Sequence, residues 1–288
     1  MLTGDDTEMQ TLAVRIRAEL GSLTPTERRA AHVLLSNYPF AGLETVAQFA
    51  SRAGVSAPSV LRFVARLGFG AYADFQKRLK DELEAQLKSP LAKPVMPTTS
   101  PASTFAAAVT ANIAQTFDNL APTEFEAIAA LLADPRRRLH FVGGRFTEAI
   151  ALYAVRHLRV VRPDVLLVEG QASTWRDQVI DFGKRDVLVA FDIRRYQDDV
   201  IQFCEEAADR GATIVLITDQ WLSPIARCAR HVMSARIDAP SNWDSSVAIL
   251  ALVEALIAAV TKSLWESAEA RMKALETLRQ RNRDRDRP

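Results

Sequence analysis

Along residues 45–66, apolar side chains recur at three- and four-residue intervals and the pattern breaks once, at Gly54. Such spacing predicts two short amphipathic helices joined by a tight turn. Thr45 and Gln48 stand three apart, as in a capping box whose side chains satisfy two otherwise orphaned backbone N–H groups, so the first helix is expected to start near Val46. Phe49, Ala50 and Ala53 form its inner face. Gly54 lies where the chain must leave the helix through a left-handed residue that glycine adopts cheaply. Ser56 is expected to cap the second helix, with Val60, Phe63 and Val64 pointing inward and Ala57, Ser59, Arg62 and Arg66 left for the outer face. Pro58 is tolerable in the first turn, which has no intrahelical donor to lose. Ala50 supplies the small side chain that two steeply crossing helices need where their backbones approach. An ordinary helical hairpin has the same apolar spacing; small residue, turn glycine, serine and buried valine in this order favour a helix-turn-helix with its second helix in the DNA major groove.

The flanking pattern extends this head and then changes character. Thr24-Pro25-Thr26-Glu27 reads as a second capping box with proline at the first helical position, opening a helix over 24–36. Residues 67–70 turn the chain into a helix over 72–87, and Leu34, Leu35, Phe49, Phe63, Leu67, Phe69 and Phe75 are expected to share one small core. Pro90, Pro94, Pro97 and Pro101 then break helix and strand alike, which makes 89–103 a linker between domains 1–88 and 104–270. Beyond it, helical stretches at 105–120 and 124–133 precede short apolar runs at 139–142, 165–168, 187–191, 214–218 and 232–235, with further helices at 147–158 and 243–264. Strands alternating with helices predict an α/β domain whose parallel sheet is covered on both faces, with ligands bound at the carboxyl edge. The charged tail, 271–288, is expected to fray.

Composition changes this picture little: 288 residues, 48% hydrophobic and 25% charged, are ordinary for a soluble two-domain protein. A net charge of +1 offers no general attraction to nucleic acid, so any basic footprint must be local. Between residues 45 and 80 stand Arg52, Arg62, Arg66, Lys77, Arg78 and Lys80 against the single acid Asp74. Arg52, Ser56, Ala57, Ser59, Arg62, Arg66 and Lys77 are therefore the expected contacts to double-stranded operator DNA. Cys204 and Cys228 have no CxxC or Cys/His companions, and His32, His140, His157 and His231 are scattered, so no metal and no cofactor are expected. Asp5, Asp6 and Glu8 occupy the start where a secretory signal needs basic and then apolar residues, and the apolar run 247–260 is short and interrupted by Glu254. A cytoplasmic protein with no membrane association is expected.

Leu23-Thr-Pro-Thr-Glu-Arg28, Ala53-Gly54-Val55-Ser56 and Ser59-Val-Leu-Arg-Phe63 before Leu67-Gly68-Phe69, followed by Gly143-Gly144, Asp186-Val-Leu-Val, Arg210-Gly211-Ala212, Ile217-Thr218-Asp219 and Ser223-Pro224, together resemble the RpiR family of bacterial transcriptional regulators. The resemblance implies a sugar isomerase (SIS) domain that senses a small molecule; the loop arginines make an anionic metabolite the expected effector, and one short recognition helix reads too few base pairs alone, so a homodimer or homotetramer is expected. The resemblance also marks a departure. Family loops resembling G-x-G-x-S and S-x-S-G-x-T cradle phosphate, whereas this chain reads Gly143-Gly144-Arg145-Phe146-Thr147 and Asp192-Ile193-Arg194-Arg195-Tyr196-Gln197. Gly143, Gly144, Arg145, Thr147, Asp192, Arg194, Arg195 and Gln197 are the expected ligand residues. Either the arginines rebuild an anion site from guanidinium forks, or they pair with Asp192, Asp198 and Asp199 as a structural network. Two other functions share the pattern: a sugar-phosphate isomerase drawing its base from Glu148, Glu169, Glu254 or His157, and a domain that only dimerises.

Overall fold

Both capping boxes form in the computed structural model, which describes residues 11–87 and 101–285. Thr24 Oγ1 accepts from the Glu27 N–H at 3.4 Å while the Glu27 carboxylate accepts from the Thr24 N–H at 2.9 Å. Thr45 and Gln48 repeat the arrangement at 3.3 and 3.1 Å. The head comprises α1 (Leu12–Glu19), a 3-10 turn (Leu20–Ser22), α2 (Pro25–Ser36), α3 (Phe40–Leu43), α4 (Val46–Ala53), α5 (Ala57–Arg66) and α6 (Tyr72–Leu87). Neither α1 nor α3 is legible in the periodicity: Leu12, Ala13 and Ile16 make an apolar face of little more than one turn, and α3 is a single turn. Leu12, Ile16, Leu34, Phe49, Phe63, Leu67, Phe75 and Leu79 are fully buried together. Leu35 and Phe69 are only half-buried against that core, Phe69 lying edge-on to Phe75 at 5.7 Å.

Gly54 ends α4 at φ +60°, and the N–H of Val55 reaches back to the Ala50 carbonyl at 3.0 Å. A Cβ on Gly54 would meet no atom within 4 Å, so the demand on this position is conformational rather than steric. Gly54→Val should therefore cost about 1–2 kcal/mol from backbone strain alone, and Gly54→Asn clearly less. Thermal unfolding of the two variants checks this; equal loss in both would mean that packing, not φ, selects glycine here.

A second compact unit follows. Its elements are α7 (Pro101–Asp118), α8 (Pro122–Ala133), β1 (Arg138–Gly143), α9 (Glu148–Val161), β2 (Val165–Leu167), α10 (Ala172–Val179), β3 (Asp186–Asp192), α11 (Asp198–Asp209), β4 (Thr213–Asp219), β5 (His231–Ala235), α12 (Val247–Ser263) and α13 (Trp265–Arg285). The five strands are parallel in the order β2-β1-β3-β4-β5, with Leu139 opposite Val165, Gly143 opposite Phe191 and Asp192 opposite Thr218. All seven residues of β3 are buried, as the centre of a doubly covered sheet requires.

Several boundaries differ from expectation. Helix α7 takes in 101–103 of the expected linker, while 88–100, the acidic first ten residues and the last three lie outside the described residues. Helix α12 begins at Val247, leaving 243–246 as loop, because Ser245 and Ser246 interrupt the apolar run. The expected fraying tail is helical through Arg285, anchored near its start by Arg271 Nε donating to the Arg159 carbonyl at 3.0 Å and by a Lys273–Glu269 pair at 2.7 Å. Among the described residues no single helix is long and apolar enough to cross a membrane, and no His, Cys, Asp or Glu group of three could hold a metal ion.

Candidate functional site

The outward face of α5 is narrower than the sequence pattern suggests. Ser56, Arg62 and Arg66 are exposed and Ala57 is half-buried against the core, but Ser59 is buried at 5% exposure. Ser56 stands at the cap position without capping: its hydroxyl pairs with that of Ser59 at 2.9 Å, and Ser59 also accepts from Arg62 Nη2 at 2.9 Å. One helical turn separates residues 56 and 59, so the two hydroxyls satisfy each other and leave the backbone donors to the first turn. Ser59 thus holds Arg62 rather than facing outward.

The basic residues of this face are differently engaged. Arg52 pairs with Glu44 (Nε to Oε2, 3.2 Å), while Arg66 donates to the Ser22 carbonyl at 3.0 Å and lies 3.6 Å from Glu27. Arg62 and the exposed Lys77 make no salt bridge among the described residues. A pair as exposed as Arg52–Glu44 is worth little, so exchanging Glu44 for a phosphate is cheap; Glu27 is buried but keeps its capping-box partner Thr24 when Arg66 turns away.

Seven of the eight expected ligand residues line one cavity of about 210 Å³. Their convergence follows from topology: β1 and β3 are neighbours whose chains leave in opposite directions, so the loops 143–147 and 192–197 diverge and open a crevice at the carboxyl edge. Gly143 is not in the lining; a Cβ there would run into the backbone of Thr147 and Glu148, which is why glycine ends β1. Gly144 has a similar reason, since a Cβ would collide with the Gln197 side chain, whose Oε1 accepts from the Arg145 N–H.

Polar groups in the crevice are mostly turned inward. Thr147 is buried, its hydroxyl accepting from the Gly144 N–H at 2.8 Å and donating to the Phe191 carbonyl at 2.7 Å. Arg194 has a side chain only 2% exposed and pairs not with Asp192, Asp198 or Asp199 but with Asp244 (Nε to Oδ2, 3.1 Å) and Asp238 (3.2 Å). Those partners lie 50 and 44 residues further along the chain, beyond any local pattern. Asp192 is buried and accepts from the Ser223 hydroxyl at 2.5 Å. Burial drives its carboxyl up to about 7 against the pull of Ser223 and of the Gln197 backbone, with Asp219 and Asp199 adding to the rise. Tyr196 donates its hydroxyl to Asp219 at 2.8 Å.

Two cations remain. The guanidinium groups of Arg145 and Arg195 are exposed and form no hydrogen bond or ion pair among the described residues. Arg195 holds φ +67°, a left-handed geometry that glycine adopts more cheaply, at the position where the S-x-S-G-x-T pattern has its glycine. Phe146, which sequence reasoning passed over, is 53% exposed in the crevice lining, with Arg145 5.3 Å above its ring and Trp243 edge-on at 5.6 Å. It falls at an unspecified position of the G-x-G-x-S pattern, so the motif drew no attention to it; Trp243 was hidden by its assignment to a helix. None of Glu148, Glu169, Glu254 and His157 lines this cavity. Glu254 instead accepts from the Tyr153 hydroxyl at 2.8 Å, and His157 stacks on Tyr153 at 4.4 Å.

Comparison with known proteins matches residues 9–86 to the helix-turn-helix domain of the rpiR family and residues 131–259 to the SIS domain. The chain is 28% identical over 220 residues to the bifunctional protein glk of Paraburkholderia xenovorans, covering 75% of this chain and 34% of that one. It therefore spans about a third of the length of this relative. With the HTH-type transcriptional regulator HexR of Pseudomonas aeruginosa it shares 24% identity over 264 residues, 88% of this chain and 90% of that one. The sugar isomerase domain of an RpiR transcription factor from Sphaerobacter thermophilus superposes with a TM-score of 0.57 and 25% identity over 62% of this chain and 99% of that one. The Vibrio vulnificus NanR protein complexed with ManNAc-6P shares the fold at a TM-score of 0.54 and 17% identity, over 93% of this chain and 97% of that one.

Proposed function

The chain belongs to the RpiR family, a helix-turn-helix regulator with a SIS domain, and from that premise we propose that α5 reads an operator while an anionic metabolite in the β1/β3 crevice sets the affinity. The regulator acts in the cytoplasm, where its DNA is, as a homodimer or homotetramer. A single ten-residue helix spans too few base pairs for useful specificity, whereas two heads read a palindrome. Arg62 is assigned to the base edges, oriented by Ser59. Arg52, Ser56, Ala57, Arg66 and Lys77 are assigned to the backbone around it.

Arg62→Ala should weaken operator binding by about 1–3 kcal/mol and relax specificity at one base position. Electrophoretic mobility shifts on operator and random duplexes measure this. Equal loss on both would make Arg62 a phosphate contact.

For the crevice, the carrying observation is the convergence of both loops around Arg145 and Arg195, with Arg195 held in a strained backbone that glycine would adopt freely. Gly144, Arg145, Asp192, Arg195 and Gln197 are assigned to the effector, and Gly143, Thr147 and Arg194 to the scaffold beneath it. The anion is a carboxylate or a phosphate, the latter being what NanR holds in ManNAc-6P. Arg145→Ala combined with Arg195→Ala should abolish the effector's influence on operator affinity, a coupling expected at about 1–3 kcal/mol and reciprocal by linkage. Arg195→Gly should raise the melting temperature while weakening the response. A response that survives the double substitution, in metabolite titrations with and without operator, would rule out this site.

A further inference from the structure

Most of the crevice's hydrogen-bonding capacity is already committed within the protein. The Thr147 hydroxyl serves Gly144 and Phe191, Asp192 takes the Ser223 hydroxyl, Gln197 Oε1 takes the Arg145 N–H, and Arg194 serves Asp238 and Asp244. A sugar brings several hydroxyl groups, each of which loses water on binding and needs a partner in return; leaving one unmade costs about 1–3 kcal/mol. Beyond the two guanidinium groups, which the anion takes, the crevice has few partners to give. It offers charge and apolar surface instead.

That apolar surface is unusual in its placing. Phe146 and Trp243 are 53% and 57% exposed, packed edge to face at 5.6 Å, and the Arg145 guanidinium lies 5.3 Å over the Phe146 ring. Large aromatic side chains grouped at a cavity mouth mark a binding surface, and a π face beside a guanidinium suits a flat ring with a negative substituent. We propose, building on the anion-site reading above, that the effector is an anion carried on a flat apolar ring. Its charge is held by Arg145 and Arg195, and its ring rests on Phe146 and Trp243.

Calorimetric titration of the full chain tests this with phenyl phosphate and phenylacetate against inorganic phosphate, acetate and glucose 6-phosphate. The aryl anions are expected to bind tighter than the three non-aromatic probes. Phe146→Ala and Trp243→Ala should each weaken the aryl anions about 2- to 10-fold with inorganic phosphate unchanged, and Trp243→Phe should retain most of the affinity. Glucose 6-phosphate binding tightest, and weakened by Arg145→Ala, would overturn the ring assignment while leaving the anion site standing. Binding of none of the five probes would overturn both. Ring substitutions that leave aryl binding unchanged but shift the oligomeric state would make the pair a subunit contact and overturn the proposal.

Discussion

Arg194→Ala should destabilise the second unit by about 3 kcal/mol, and Arg195→Ala, one residue on, should change stability by less than about 0.5 kcal/mol. The contrast comes from burial. The Arg194 side chain is 2% exposed and is the shared partner of Asp244, 16% exposed, and Asp238, 56% exposed. Removing it takes from the mostly buried Asp244 carboxylate the guanidinium that faces it, while the more exposed Asp238 recovers water, which holds the loss to the lower end of the range for broken buried pairs. Arg194→Lys should recover little, since an ammonium lacks the planar fork that meets both oxygens of Asp244. Arg195 has no such partners, and alanine bears the same left-handed strain. At about 2–4 °C per kcal/mol for a unit of this size, thermal unfolding should separate the variants by roughly 6–12 °C. Small, equal shifts in both would contradict the buried network.

Asp192→Asn should flatten the dependence of stability on pH between about 4 and 7. Burial raises the Asp192 carboxyl to about 7, above the ordinary unfolded value. The folded protein then holds this proton more tightly than the unfolded chain. Its contribution is fully present below the unfolded pKa and is lost as pH rises through about 7, a change of order 4 kcal/mol for three units of displacement. Asparagine mimics the protonated acid and keeps a hydrogen-bonding partner for Ser223 and for the Gln197 N–H. The variant should therefore be the more stable protein at pH 8, and the two should converge near pH 4. Urea unfolding across this range gives the slopes; identical slopes would mean that Asp192 is ionised throughout.

The elements legible in the amino-acid sequence are those decided within a few residues. Thr24 with Glu27, Thr45 with Gln48 and Gly54 with its left-handed turn are contacts over three or four positions, and α2 begins, and α4 begins and ends, where these signals place them. The five strands stand out because a doubly covered sheet demands continuous apolar runs, which local composition records. Short α1 and α3 escaped because one or two turns carry too little of a period to read. Ser59 escaped because its hydroxyl is satisfied by Ser56 and Arg62, which lets a polar residue sit inside.

The candidate site divides along the same line. Sequence alone determined which loops face the crevice, since strand ends and the replaced glycines and serines are local facts. Tertiary structure decided what each side chain there is available to do. Arg194 and Arg195 are adjacent and chemically identical, yet one is consumed by Asp238 and Asp244 and the other stands exposed at φ +67°. Phe146 meets Trp243 only because the loop before α12 folds back over the carboxyl edge of the sheet. Partners drawn from distant segments are set by strand order and packing, and no short-range pattern of residues encodes them.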